Sequence, residues 1–82
     1  VMIGIGSVIV SGNHTASNGS YRWGSRDESP ITIGQGSWLG ANTVLVAGSV
    51  VPKSSLIAAG AVVVNILTQP GVYGGVPARL LK

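Results

Sequence analysis

The sequence predicts an all-β chain: a parallel β-helix of stacked hexapeptide turns, with one protruding loop and a short C-terminal cap. Three observations carry that expectation. Ile33, Leu39, Leu45, Val51, Ile57 and Val63 recur six apart, and all are aliphatic. A small side chain follows four positions after each of the first five: Ser37, Thr43, Ser49, Ser55 and Ala61, with Leu67 ending the series. Gly36, Asn42, Gly48, Ser54 and Gly60 stand just ahead of those small residues. A period of six matches neither the 3.6 of a helix nor a plain strand alternation, and it marks a hexapeptide solenoid. Each hexad gives a short strand and a corner. The aliphatic residue points into the coil, the small one fills the bend, and Gly or Asn accepts the positive φ that corners need.

The elements follow in order. Ile3 and Ile9 already keep the beat, with Ser7 and Asn13 in the small or corner place. Val1-Met2-Ile3 enters the repeat at once, so an upstream segment or another chain is expected over that edge. Residues 15–30 break the count, which would fall on Thr15, Tyr21 and Asp27. The run TASNGSYRWGSRDESP is rich in Ser, Gly, Asn and charge, and reads as an excursion from the coil. Long loops inside compact domains are usually functional. Pro30 ends it, and Ile31-Thr32-Ile33 re-enters a strand by alternation. Residues 31–68 make about two regular turns of three hexads. After Leu67 the register lapses at Gln69, and 69–82 reads as the cap.

Leu45 and Val63 are eighteen apart, so they stack on one face of a three-sided prism. Their neighbours Val44, Val46, Val62 and Val64 point outward there. Such an apolar strip fits a lateral contact with a second chain. Scattered exposed valines of the ordinary kind are the other reading.

At 82 residues the chain is one domain, spanning 1–82. It is 45% hydrophobic and 9% charged, which excludes disorder. Its net charge of +3 comes from Arg22, Arg26, Lys53, Arg79 and Lys82 against Asp27 and Glu28. No basic run or aromatic-basic interleaving is present, so no nucleic-acid partner is expected. Arg79 and Lys82 suit either a small phosphorylated ligand or a solubilising tail. The absence of cysteine excludes disulfides and thiolate catalysis. The longest apolar stretch, around Ile57 to Val64, is far shorter than the roughly 20 residues that span a bilayer. With no leader visible, a soluble cytoplasmic protein without a membrane partner is expected.

His14 is the only histidine, and it stands where the coil gives way to the loop. It is either a structural residue or a general base on a projecting loop. A Ser-His-Asp triad would draw on Ser7 or Ser17 with Asp27, but nothing fixes the spacing. One His beside two adjacent carboxylates cannot build a three-histidine zinc site, so no metal is expected. Trp38, outward or at a corner, stacks on a ligand or packs under the loop. Tyr21 and Trp23 line a carbohydrate or nucleotide pocket, or else pack the loop onto the coil. An ice-like lattice partner would need a ladder of similar polar residues, and the outward positions are mixed.

The runs SGNHT, PITIGQGSWLGANTVLVAG, AAGAVV and GGVPARLLK come in that order over nearly the whole chain. Together they resemble the C-terminal half of the hexapeptide-repeat O-acetyltransferases, in particular the galactoside, maltose and colanic-acid-type sugar enzymes. The resemblance implies a left-handed parallel β-helix, although parallel crossovers in general favour the right hand. It also implies a homotrimer that moves acetyl from acetyl-CoA to a small-molecule hydroxyl, a sugar above all, in sites between neighbouring subunits. His14 then matches the catalytic base, and Trp38 the aromatic lining the site, with Asn13, Tyr21 and Trp23 as further lining residues. Ala41, Ala59 and Arg79 match the positions that contact CoA, and Lys82 assists with phosphate. Without cysteine, direct transfer in a ternary complex is expected rather than an acyl-enzyme. Thr15 stands where many relatives carry Asp, and Val64-Asn65 where relatives often carry Thr-Lys. The Val64-Asn65 departure, with the absence of the N-terminal half of the domain the resemblance implies, supports the alternative expectation, a degenerate trimer serving as scaffold or binding module.

Overall fold

The computed structural model describes residues 1–82, with twelve short strands and no helix. No helix is present that is long and apolar enough to cross a membrane. The molecule is a rod of 43 × 20 × 19 Å. Its strands stack into three parallel faces. The first face carries β1 (Met2–Ile3), β6 (Trp38–Leu39), β9 (Leu56–Ile57) and β11 (Val72–Gly74). The second carries β2 (Val8–Ile9), β7 (Val44–Leu45) and β10 (Val62–Val63). The third carries β5 (Thr32–Ile33) and β8 (Val50–Val51), with Ile66 bridged to Val50.

The hexad beat fixes the register. Leu39 lies beside Ile57, Leu45 beside Val63 and Ile33 beside Val51, each pair eighteen residues apart. Backbone amides donate from one coil to the next, as from Trp38 to Ser55 (2.9 Å) and from Val44 to Ala61 (3.0 Å). Leu39, Leu45, Val51, Ile57 and Val63 are all buried. Each contributes roughly 1.5–3 kcal/mol of apolar burial.

The small residues are buried too, because they sit inside the corners. Their hydroxyls satisfy carbonyls and amides that the turns would otherwise orphan. Ser37 donates to the Pro52 carbonyl at 2.7 Å and accepts from the Ser55 amide at 3.1 Å. Ser49 donates to the Val63 carbonyl at 3.0 Å, and its hydroxyl also lies against the Val46 carbonyl. Ahead of each buried residue the chain takes a positive φ: 77° at Gly36, 58° at Asn42, 80° at Gly48, 55° at Ser54 and 77° at Gly60. Gly40 is glycine for a different reason. A Cβ there would lie 2.7 Å from the Ala59 amide nitrogen of the coil beneath.

Three features differ from the sequence-based expectation. The segment expected as a loop at 15–30 is a β-hairpin whose strands begin earlier, with β3 (Gly12–His14) antiparallel to β4 (Arg26–Glu28). Leu67 is a core residue rather than a corner filler. Only four positions separate it from Val63, so the last third-face segment is two residues short of a hexad. The ladder still closes: the Leu67 amide donates to the Val50 carbonyl at 3.0 Å. The coil also continues past Gln69, since β11 runs parallel beside β9 and sends Tyr73 inward beside Ile57. The chain then folds back, and β12 (Arg79–Leu80) pairs antiparallel with β11.

Ile3 and Ile9 keep register with Leu39 and Leu45 but are 53% and 42% exposed, because only one side of their coil is stacked. The valine strip is longer than the four valines expected from the spacing. Val8 stacks on Val44, which stacks in turn on Val62, and Val10 donates its amide to the Leu45 carbonyl one coil on. Val8 and Val10 therefore extend the columns of Val44, Val46, Val62 and Val64 along the second face.

Candidate functional site

The hairpin interrupts the coil between the second and third faces. Ile9 to Ile33 spans 24 positions where a hexad takes six. Its root is tied at Ser29, whose amide donates to the Ser11 carbonyl at 3.0 Å and whose carbonyl accepts from Gly48 at 3.3 Å. Near its tip, Asn18 and Gly19 hold φ of 55° and 74°, and Ser17 and Ser20 exchange backbone hydrogen bonds. That is a two-residue type I′ turn, for which Asn-Gly is the favoured pair. The dipeptide is the signal in the sequence for the hairpin, and the reading as an open excursion passes over it.

Register decides what faces what. Thr15 donates its amide to the Ser25 carbonyl (3.0 Å), as Ser29 does to Ser11, so 11/29, 13/27 and 15/25 are the hydrogen-bonded pairs. His14 opposite Arg26, and Gly12 opposite Glu28, are the closer non-hydrogen-bonded pairs. One hairpin face therefore carries His14, Arg26 and Glu28 above Gly12. The other carries Asn13, Thr15, Ser25 and Asp27, so Asn13 and His14 sit on opposite faces. Thr15 has a structural task on its face: its hydroxyl donates to the Ser25 carbonyl at 3.0 Å and lies 3.3 Å from the Ser25 hydroxyl.

His14 is exposed. Arg26 Nη2 lies 3.5 Å from Glu28 Oε1, both side chains exposed, and a Cβ on Gly12 would be 3.5 Å from that same Nη2. The guanidinium thus leans toward the hairpin root over a residue without a side chain. Neither partner of this pair stands out in the sequence, because only the antiparallel register brings Arg26 and Glu28, twelve and fourteen positions on, onto the face of His14. Tyr21 and Trp23, near the tip, are 68% and 64% exposed, and the Arg22 guanidinium carbon stands 5.1 Å from the Trp23 ring centroid. They do not pack the loop onto the coil.

The other expected residues lie elsewhere on the prism. Trp38 projects from the first face between Met2 and Leu56, half exposed. Ala41 and Ala59 occupy the corner between the first and second faces, one coil apart, and the Gly60 amide donates to the Ala41 carbonyl at 3.0 Å. Their small side chains leave that corner low. Arg79 lies opposite Gly74 in the final hairpin and lines a shallow cleft of about 210 Å³ with Asn65, Thr68 and Gln69. Lys82 is exposed, and its carbonyl accepts from the Val72 amide at 2.6 Å.

The His14 hairpin and the Ala41–Ala59 corner flank the valine face from opposite sides. The hairpin's two arginines balance its two carboxylates, so the net charge resides in Lys53, Arg79 and Lys82. No group of three or more His, Cys, Asp or Glu is placed to hold a metal ion.

No family model matches the chain. It is 36% identical over 53 residues to the galactoside O-acetyltransferase of Escherichia coli K12, covering 65% of this chain and 26% of that protein. It is 37% identical over 54 residues to a 2,3,4,5-tetrahydropyridine-2,6-dicarboxylate N-acetyltransferase of Staphylococcus aureus, covering 66% and 23%. The chain thus spans about a quarter of the length of the curated relatives it matches. Among solved structures, a galactoside acetyltransferase in complex with coenzyme A superposes with TM-score 0.89 and 27% identity, over 99% of this chain and 40% of that one. A hexapeptide-repeat acetyltransferase from Vibrio cholerae, complexed with acetyl coenzyme A, superposes with TM-score 0.86 and 28% identity, over 96% and 43%. The architecture shared with them is the left-handed parallel β-helix.

Proposed function

The chain is a relative of the hexapeptide-repeat acetyltransferases, and on that premise we propose that it is an acetyl-CoA-dependent O-acetyltransferase acting on a saccharide hydroxyl. The observation that carries the proposal is the exposed His14 on a tethered hairpin, across a valine face from a corner kept low by Ala41 and Ala59. A second copy packed on the valine face would bring the hairpin of one protomer toward the alanine corner of its neighbour. A homotrimer with shared sites is therefore part of the reading. The pantetheine arm would run along Ala41 and Ala59, with Arg79 and Lys82 taking the phosphates. Trp38, Tyr21, Trp23 and Asn13 remain candidate lining residues. A soluble, cytoplasmic setting suits a water-soluble thioester cosubstrate.

In this mechanism His14 accepts the proton of the acceptor hydroxyl as its oxygen attacks the thioester carbonyl. The tetrahedral oxyanion takes a hydrogen bond from a corner amide. Collapse breaks the C–S bond, the imidazolium returns the proton to the departing thiolate, and ester and CoA leave. General-base help of this kind is worth roughly 10²–10⁴ in rate. His14→Ala is expected to abolish acetyl transfer while leaving the assembly intact; normal turnover by that variant would end the role.

The rival reading, a scaffold or binding module, rests on Val64-Asn65 standing where the family resemblance implies Thr-Lys on the path of CoA. Millimolar CoA discriminates the two, because a ligand that binds only the native state must raise the melting temperature. An unmoved melting curve favours the scaffold. Since one relative is an N-acetyltransferase, an amino sugar belongs beside its hydroxyl counterpart in the turnover assay.

A further inference from the structure

We infer that Arg26 and Glu28 form an acceptor subsite that binds a second hydroxyl of the molecule presented to His14, so that the fitting class is a neutral polyol with neighbouring hydroxyls. The inference deepens the acetyltransferase reading and rests on it only for the chemistry assigned to His14. Its basis is the hairpin register. His14 and Arg26 face each other in a non-hydrogen-bonded pair, where opposite Cβ atoms lie about 4.5–5.5 Å apart. Glu28 follows on the same face, opposite Gly12, and the absent side chain at Gly12 leaves room for the guanidinium to lie flat.

The pair has bonding capacity to spare. A single contact of 3.5 Å joins Nη2 to Oε1, and both side chains are 67% exposed. A guanidinium has five N–H donors and a carboxylate two acceptor oxygens, so most of them remain for a ligand. A hydroxyl both donates and accepts, and it can bridge this pair with both capacities used. An anionic acceptor would meet Glu28, and an apolar alcohol would leave the pair unsatisfied. The opposite face, where Thr15 and Ser25 already bond each other, does not carry His14.

His14, as the sole histidine, gives an unambiguous reporter. The 82-residue chain, saturated with CoA, is titrated with methyl β-D-galactopyranoside, its monodeoxy analogues and the matching methyl galacturonoside, while the His14 ring resonances are followed by NMR. The neutral sugar is expected to shift those signals and to bind more tightly than the uronate. Glu28→Gln should weaken it about tenfold, the loss of one charge-assisted hydrogen bond. One deoxy analogue should bind the unmodified chain with that same deficit and be indifferent to Glu28→Gln. Arg26→Lys, which keeps the charge but loses the fork, provides a second variant if Glu28→Gln alters the melting temperature. Unmoved His14 signals up to the solubility limit of the sugar, or an equal loss for every sugar in both variants, overturns the subsite. Sugar binding that follows this pattern without turnover keeps the subsite and removes the acetyltransferase reading.

Discussion

Gly40 and Gly60 look alike in the sequence and are needed for unrelated reasons. Gly60 has φ of 77°, and a Cβ there would meet nothing within 4 Å, so only backbone strain opposes a side chain. Gly60→Ala should cost roughly 1–2 kcal/mol, the left-handed penalty for an L residue. At Gly40 the obstacle is the Ala59 backbone 2.7 Å away, which cannot step aside as a side chain would. Gly40→Ala should therefore fall toward the upper end of the ~1–3 kcal/mol that overpacking costs. Urea unfolding of the two variants checks the order; a larger loss at Gly60 would contradict the close-approach account. Ser49→Ala removes a buried hydroxyl that donates to the Val63 carbonyl, and about 1–3 kcal/mol should go with it. The hexad pattern shows that these positions must be small. It does not show that the serines bond the neighbouring coil, because the carbonyls that accept from Ser49, Ser37 and Ser7 lie fourteen, fifteen and thirty-three positions away.

The hairpin and the coil are elements of different kind. The coil is held by stacked aliphatics and ladder hydrogen bonds, and the hairpin by its own turn and by Thr15. Replacing Asn18 and Gly19 together by Ala removes the two residues that tolerate positive φ in the I′ turn. Hydrogen exchange at the Thr15 and Ser17 amides should then accelerate while the coil's unfolding midpoint stays put; a matching drop in the midpoint would mean that the hairpin supports the coil. Leu45→Ala acts in the opposite place. It hollows the middle of the second face, where Leu45 is fully buried between Ile9 and Val63, and should cost about 2–5 kcal/mol by the same denaturant measurement.

At the scale of the molecule, what matters is what the valine columns meet. Val8, Val10, Val44, Val46, Val62 and Val64 run down one face of a rod only 20 Å across, and Val8, Val10 and Val64 are well exposed. Contiguous apolar strips of that kind mark contact surfaces. Val44→Asp places a charge in the middle of the strip without touching the inward core, since Val44 points out and Leu45 in. Sedimentation should then report a monomer that keeps its far-UV spectrum, whereas an unchanged assembly would place the contact on another face. If the site is shared, acetyl transfer should fall with the assembly.

By itself the sequence determined the solenoid: a strict period of six admits one way to bury the aliphatics, and every corner needs a small residue after a permissive one. It determined the valine face for the same reason, because inward and outward positions alternate along each strand. Only the tertiary structure decided the hairpin's partners. Which side chains share the face of His14 depends on antiparallel pairing across a loop, and a one-residue slip would have put Asp27 there in place of Arg26 and Glu28. The final coil was likewise a tertiary matter. Its shortened segment obeys no period, and Leu67 and Tyr73 became core residues only because the coil above left room for them.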